Sequence, residues 1–578
     1  MRLHGTAAAV GTGPARVRRA VVLATAAAAV VATALPGAAR ATDAGGRAWQ
    51  DVVVTGSGAE GAASAVTAVG GQVVASLPLV RGVAARLPAG ATLGDQWLVA
   101  PQRELRVAAA PAALTDGPAS TVRATLGLPA NGDEGRGVTV AVVDTGIADV
   151  PDLAGRVARR IDITGSGGGD GYGHGTFMAG LIAGSGAASG GAYRGVAPAA
   201  KLVDVKVADA DGRTDLITVL RGLQWVSQNA RDVKVLNLSL SSNSPLPYQI
   251  DPLTQALEAL WRRGVTVVVP SGNDGPGTGS VTSPGSDPVL LTAGGLDESG
   301  TAQRRDDVVA TWSGRGPSWQ GDAKPDLVAP GARVVSLRSP GSVVDAANPQ
   351  ARIGGGYFRG SGTSMATAVT SGVAAVVLAE EPKLRPDAVK NLFTATAYSA
   401  PGLSRAAGAG AGGLDAARAL DAASEWRKSP SQAQFDRDTA AIGRDAKDWA
   451  ALEEAILAGD RAAAAAAWAK LSAGSRDWAA RAWVQLDPAT RDWAARAWVT
   501  EGWGDGPDGT AEQWAARAWV ARAWVARAWV SDEWAARAWV NGDWSARAWV
   551  ARAWVSQDWA ARAWVSDKWS ARAWTWQL

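Results

Sequence analysis

Four short stretches of this 578-residue chain carry side chains that could act together in nucleophilic catalysis. In Val140-Ala141-Val142-Val143-Asp144-Thr145-Gly146 an apolar run ends in an acid and a tight turn. Functional groups gather outside the carboxyl ends of strands in open parallel sheets, so Asp144 is well placed, although a lone D-T-G more often marks an Asp capping its own turn. Gly171-Tyr172-Gly173-His174-Gly175-Thr176 sets a histidine among glycines, where backbone can crowd an imidazole and a substrate can approach it. Taken alone, it also reads as a surface-loop histidine. Gly360-Ser361-Gly362-Thr363-Ser364-Met365-Ala366-Thr367 opens an apolar helical run through Val369, Val373 and Val377. A serine there is either a helix cap or a nucleophile placed where backbone N–H groups favour developing negative charge. Val268-Val269-Pro270-Ser271-Gly272-Asn273 leads to an amide, either a turn residue or a donor for an oxyanion.

Composition removes several competitors. The chain has no cysteine, so thiol catalysis and disulfides are excluded. Its two histidines are His4 and His174, which rules out HExxH zinc sites and any two-histidine mechanism. A D-T-G also occurs in aspartic peptidases, but their second D-T-G or D-S-G is missing here. The formal charge of +3 comes from the first 41 residues, which hold five basic and no acidic residues. The remainder is slightly acidic and has no basic arm for nucleic acid.

These residues need a scaffold. Val138–Val143, Lys201–Val207, Val233–Leu240 and Val265–Val269 read as buried strands of a parallel sheet. Between two of them, Leu216, Val219, Leu220, Leu223 and Val226 recur at helical spacing, so an α/β, doubly wound, mostly parallel sheet with helices on both faces is predicted. Ahead of it, strands at Asp51–Val54, Gln72–Leu77 and Val80–Leu87 and a helix at Ala59–Val69 form a small α+β unit. A Pro- and Ala-rich connection, Val107–Pro118, follows as a cleavage zone.

The four motifs occur in the order Asp, His, Asn, Ser on one scaffold, and in that order they resemble the subtilisin family. Gly195-Val196-Ala197-Pro198, Asn237-Leu238-Ser239-Leu240, Ser313-Gly314-Arg315-Gly316-Pro317 and Lys324-Pro325-Asp326-Leu327-Val328-Ala329-Pro330-Gly331 add to the match, which covers roughly Gly135–Leu420. The resemblance implies a serine endopeptidase acting on protein or peptide substrates, with Ser364 as nucleophile, His174 as general base and then acid, and Asp144 orienting the imidazole. Asn273 and the Ser364 N–H would hold the oxyanion. Ser239, Leu240 and Ser241 would pair with the substrate backbone, while Ser271 and Gly272 would wall the first specificity pocket beside Pro270. The pattern departs from the family at Phe177, Ser241, Pro270 and Ala368, where His, Gly, Ala and Pro are usual. These positions bear on substrate preference. The small unit resembles the family's inhibitory prosegment, an intramolecular inhibitor that assists folding.

Five segments follow. Residues 1–41 carry a basic stretch, an apolar run Ala20–Leu35 and small residues at Ala39 and Ala41, the pattern of a cleaved export signal. Residues 42–118 are the prosegment and linker, 119–420 the peptidase domain, and 421–476 an Ala-rich helical region with helices expected at Trp449–Leu457 and Arg461–Leu471. Residues 477–578 hold Trp-rich repeats, in which tryptophan recurs every fifth position from Trp514 to Trp574. Five residues advance a helix by about 140° beyond a full turn, and odd spacing alternates strand faces, so the chain must turn between indoles. Hairpins turning at Asn541-Gly542, with Arg537 and Arg547 stacked on Trp539 and Trp549, a solenoid, and a low-complexity tail are the alternatives. The array suits a cell-surface or polymeric ligand, which leaves an adhesion protein with an inert peptidase domain as the competing function. No cofactor is required. A structural calcium is left open but unassigned, because no dedicated acidic loop stands out. The protein is expected outside the cell, with cell-wall association through the tail.

Overall fold

The computed structural model describes residues 48–426, apart from 95–96, 108–118, 120, 130–133, 243, 245, 247, 249–250 and 319–322, together with 41–42, 448 and 461–472. The export signal, the Trp449–Leu457 helix and the tryptophan repeats lie outside the described residues. The chain divides into two compact units, Ala32–Gln432 and a second made of Met1–Val31 with Ala433–Leu578. In the second, Arg461–Lys470 forms the helix expected there from its alanines.

The first unit begins with β1 (Ala48–Thr55), α1 (Ala59–Ala68), β2 (Gln72–Leu77), β3 (Gly82–Pro88) and β4 (Leu98–Pro101). All pairings are antiparallel, in the order β4-β1-β3-β2, with Ala41 and Thr42 paired to Trp49 and Ala48 of β1. Alternation along the strands divides their side chains between two cores. Val52, Val54, Val83, Ala85 and Leu87 pack with Ala62 and Val66 of α1, while Val53 and Ala84 join the main core. The strand expected from Val80 begins two residues later, because Pro78–Val80 makes a 3₁₀ turn that buries Leu79 and Val80 in the main core. A short strand, β5 (Glu104–Val107), follows.

The main sheet contains β6 (Thr139–Asp144), β7 (Val157–Asp162), β8 (Lys201–Lys206), β10 (Val233–Leu238), β12 (Thr266–Pro270), β13 (Leu291–Asp297), β14 (Val308–Val309) and β15 (Leu327–Pro330). Strand β9 (Arg213–Asp215) and strand β11 (Leu240–Ser241) belong to a different sheet with β5. The main order is β14-β13-β12-β10-β6-β8-β7, with β15 also on β13. Every pair is parallel except β13 with β14. The order reverses beside β6, so the crevice outside its carboxyl end is where a ligand binds in such sheets.

Helix α2 (His174–Ala183) packs with α5 (Thr363–Glu380), and α3 (Leu216–Asn229) with α4 (Pro252–Arg262). Among the described residues only α5 is long and apolar enough to cross a membrane, and it is buried in the core. A helix apolar all round is stable only when enclosed on every side. The Lys324-Pro325-Asp326 stretch anchors β15 from within. Lys324 Nζ donates to Leu290 O, Thr292 Oγ1 and Asp326 Oδ2 at 2.8–2.9 Å, and Lys390 Nζ lies 3.0 Å from Asp326 Oδ1.

Candidate active site

Asp144 ends β6 with its side chain buried, and Oδ1 accepts the Thr145 N–H at 2.8 Å. His174 opens α2, and its Nδ1 lies 2.8 Å from the same oxygen. With a carboxylate at Nδ1, that nitrogen carries the proton and Nε2 keeps a lone pair. Nε2 is buried and has no hydrogen-bond partner, so it is available as a base. Two glycines allow this approach. A Cβ on Gly175 would stand 2.1 Å from Gly146 O, and Gly146 itself has φ 104° with Gly169 O in the place of a Cβ.

Asp170 ties the two motifs together. This buried carboxylate accepts from Thr145 Oγ1 at 2.8 Å, Gly173 N at 2.6 Å, and Thr176 N and Oγ1 at 2.8 and 2.7 Å. Thr145 Oγ1 in turn accepts the Gly175 N–H at 2.9 Å. Burial raises the Asp170 carboxyl above its ordinary value, opposed by these donors. The sequence marked the turn and the helix but not this bridge. Its only trace there is an acid four residues before the histidine.

Ser364 is fully buried in the first turn of α5, where the dipole favours negative charge. Its Oγ lies 3.4 Å from Ser239 O, and the bond to His174 is not formed. Such bonds commonly close only when substrate is bound. Asn273 follows β12, and its Oδ1 accepts from Thr363 N at 2.9 Å and Thr363 Oγ1 at 3.1 Å. With Oδ1 held by the residue before Ser364, the amide's donor side remains for a substrate oxygen.

Asn237 explains the Asn-Leu-Ser-Leu motif. Its Nδ2 donates to Ser239 Oγ at 3.0 Å and its Oδ1 accepts from Ser371 Oγ of α5 at 3.1 Å. The strand expected over Val233–Leu240 therefore stops at Leu238, and Ser239 turns toward the serine helix. Leu240 and Ser241 then pair antiparallel with Val107 and Arg106 of β5. On its other side β5 pairs with β9, so a segment from the small N-terminal subdomain fills a slot between two strands of the main domain. Ser271 and Gly272 are buried behind Asn273, where Ser271 O accepts from Thr282 N and Gly272 O from Gly314 N.

Comparison with known proteins identifies the family. The subtilase family model matches residues 135–410. Subtilisin BL of Lederbergia lenta is 36% identical over 265 residues, which cover 46% of this chain and 85% of that protein. The chain belongs to the subtilase family. Serine protease AprX of Bacillus subtilis is 44% identical over 269 residues, covering 45% of this chain and 61% of AprX. The chain thus spans under two thirds of that relative's length. Fervidolysin of Fervidobacterium pennivorans, a keratinolytic enzyme related to subtilisin, shares the fold with a TM-score of 0.50 at 24% identity, over 66% of this chain and 62% of its own. The subtilisin-like serine peptidase domain of this subtilase carries its candidate site at the carboxyl ends of β6, β10 and β12. Among the described residues, no group of three His, Asp or Glu side chains is spaced to hold a metal ion.

Proposed function

We propose that this subtilase is a secreted serine endopeptidase, autoprocessed from a proenzyme, that hydrolyses peptide bonds through Asp144, His174 and Ser364. The buried Asp144–His174 pair at 2.8 Å, with Nε2 left open, is the observation that carries this reading. His174 Nε2 takes the Ser364 proton as Oγ attacks the substrate carbonyl carbon, then returns it to the leaving amine. Asn273 Nδ2 and the Ser364 N–H stabilise the oxyanion, and water hydrolyses the acyl-enzyme by the same steps. Ser239, Leu240 and Ser241 bind the substrate backbone, as supported by the antiparallel pairing that β5 already makes there. Ser271 and Gly272 wall the pocket beside them. Labelling with a fluorophosphonate followed by peptide mapping tests the assignment. The adduct is expected on Ser364, and labelling elsewhere would remove it as nucleophile.

The subdomain of β1–β4 acts as prosegment, inhibitor and folding assistant. Its Leu79 N–H donates to the buried Gln224 Oε1 of α3 at 2.7 Å, and β5 occupies the substrate slot until it is cut away. The tryptophan repeats bind a cell-surface or polymeric ligand. Truncation after Trp426 is expected to leave kcat/KM for short peptides within about twofold, because every residue assigned to chemistry precedes it. Retention on cell wall or insoluble polysaccharide should vanish with the repeats; equal retention of both forms would argue against a binding role.

Asp204 of β8 offers a pH test of the scaffold. It accepts from Ile147 N at 3.1 Å and Arg160 Nη1 at 3.0 Å, and burial pushes its carboxyl up to about 7 despite Arg160. A folded value above the unfolded one means the native state holds a proton that the unfolded state releases. The cost to stability is absent below about pH 4, grows through pH 7, and reaches roughly 4 kcal/mol at most. In a Ser364→Ala background, which suppresses autolysis, Asp204→Asn should gain melting temperature relative to its parent as pH rises from 4 to 8. A difference independent of pH would show that Asp204 does not titrate in this window.

A further inference from the structure

The slot filled by β5 continues beyond its strand pairing to a buried carboxylate. Upstream of Glu104, Leu216 N donates to Arg103 O at 3.0 Å and Ile217 N to Gln102 Oε1 at 3.2 Å, so the β9–α3 junction also holds this stretch. The Arg103 side chain turns inward. Its Nη2 reaches both Asp251 oxygens, at 2.7 and 2.8 Å, and its Nε lies 3.4 Å from Ser242 Oγ, one residue past the edge strand. Asp251 has no solvent-exposed side-chain surface. Its other contacts are the Leu253 N–H at 2.9 Å, capping α4, and Ser283 Oγ at 3.3 Å.

Among the described residues, the one ion pair Asp251 makes is with Arg103. A buried carboxylate is tolerable while a guanidinium meets it and strongly unfavourable once the partner leaves. Here the partner sits on the segment that must vacate the slot. The same segment places Leu105 in the main core with no exposure, so an arginine and an aliphatic side chain two residues apart both point inward. Strand β5 is oriented with its Val107 end opposite Leu240, next to Ser239 and the nucleophile, so Arg103 marks the far end of the groove.

We propose that Asp251, with Ser242 and Ser283, is a subsite for an arginine of the substrate, four residues N-terminal to the residue that pairs with Leu240. The proposal rests on reading the β9–β11 slot as the substrate groove. It makes the prosegment a substrate mimic at this distant position, and it selects polypeptides carrying arginine two residues before an aliphatic side chain.

The test uses the mature enzyme obtained from the full chain and two internally quenched peptides. One carries Arg-Glu-Leu-Arg-Val-Ala-Ala, the order of residues 103–109, and the other has citrulline for the first arginine. Citrulline keeps the shape and removes the charge. The arginine peptide is expected to be cleaved with kcat/KM at least about tenfold higher, mainly through KM, because the pair forms on binding and persists in the transition state. Asp251→Asn keeps an acceptor for the α4 cap and should bring the ratio near one. Equal cleavage of both peptides by the wild-type enzyme overturns the subsite and leaves the peptidase reading intact. That comparison needs no variant. If neither peptide is hydrolysed, the peptidase reading fails, and the subsite with it.

Discussion

Ser364→Ala is expected to leave the chain uncut and to lower kcat by about 10⁶-fold, the size established for subtilisin's own nucleophile. Alanine is smaller than serine and favours helix more, so α5 and the core around it should be retained. The chain would then keep β5 seated between β9 and β11 and remain a full-length proenzyme. Intact mass after secretion and casein hydrolysis provide the measurement. Maturation and cleavage at the wild-type rate would mean that another group attacks the peptide bond.

Asn273→Ala should lower kcat by about 100- to 1,000-fold with little change in KM, again a magnitude known for the oxyanion asparagine of subtilisin. The amide acts when charge develops on the carbonyl oxygen, so ground-state binding is spared. Because Oδ1 also receives two bonds from Thr363, alanine alone would confound donor loss with a shift of the serine turn. Asn273→Asp separates the two: the carboxylate still accepts from Thr363 but offers no donor to the oxyanion. Activity in the aspartate variant is expected to be no better than in the alanine variant. Recovery to near wild type would assign Asn273 to positioning Thr363.

Much of this site was legible because each functional residue sits at an end. Asp144 closes an apolar strand, Asn273 follows another, and His174 and Ser364 open helices, so local pattern marked each of the four as an end position. Local pattern failed where a contact joined distant stretches. Val233–Leu240 reads as one strand, yet Asn237 reaches 134 residues to Ser371 and breaks it after Leu238. Asp170 carries no local signal of its role, which comes only from Thr145 and Thr176 closing on it.

By itself the sequence determined the alternation of strands and helices, the candidates for acid, base, amide and nucleophile, and the family to which they point. Periodicity and end position are local properties, so they survive without coordinates. The tertiary structure alone decided that Asp144 and His174 share a hydrogen bond, that Thr363 holds Asn273, and that Arg103 meets the buried Asp251. Arg103 and Asp251 lie 148 residues apart, and nothing in either one's neighbours announces the other. Only the placing of β5 between β9 and β11 brings the guanidinium of Arg103 against the buried Asp251 carboxylate, and burial is what makes a charged partner matter there.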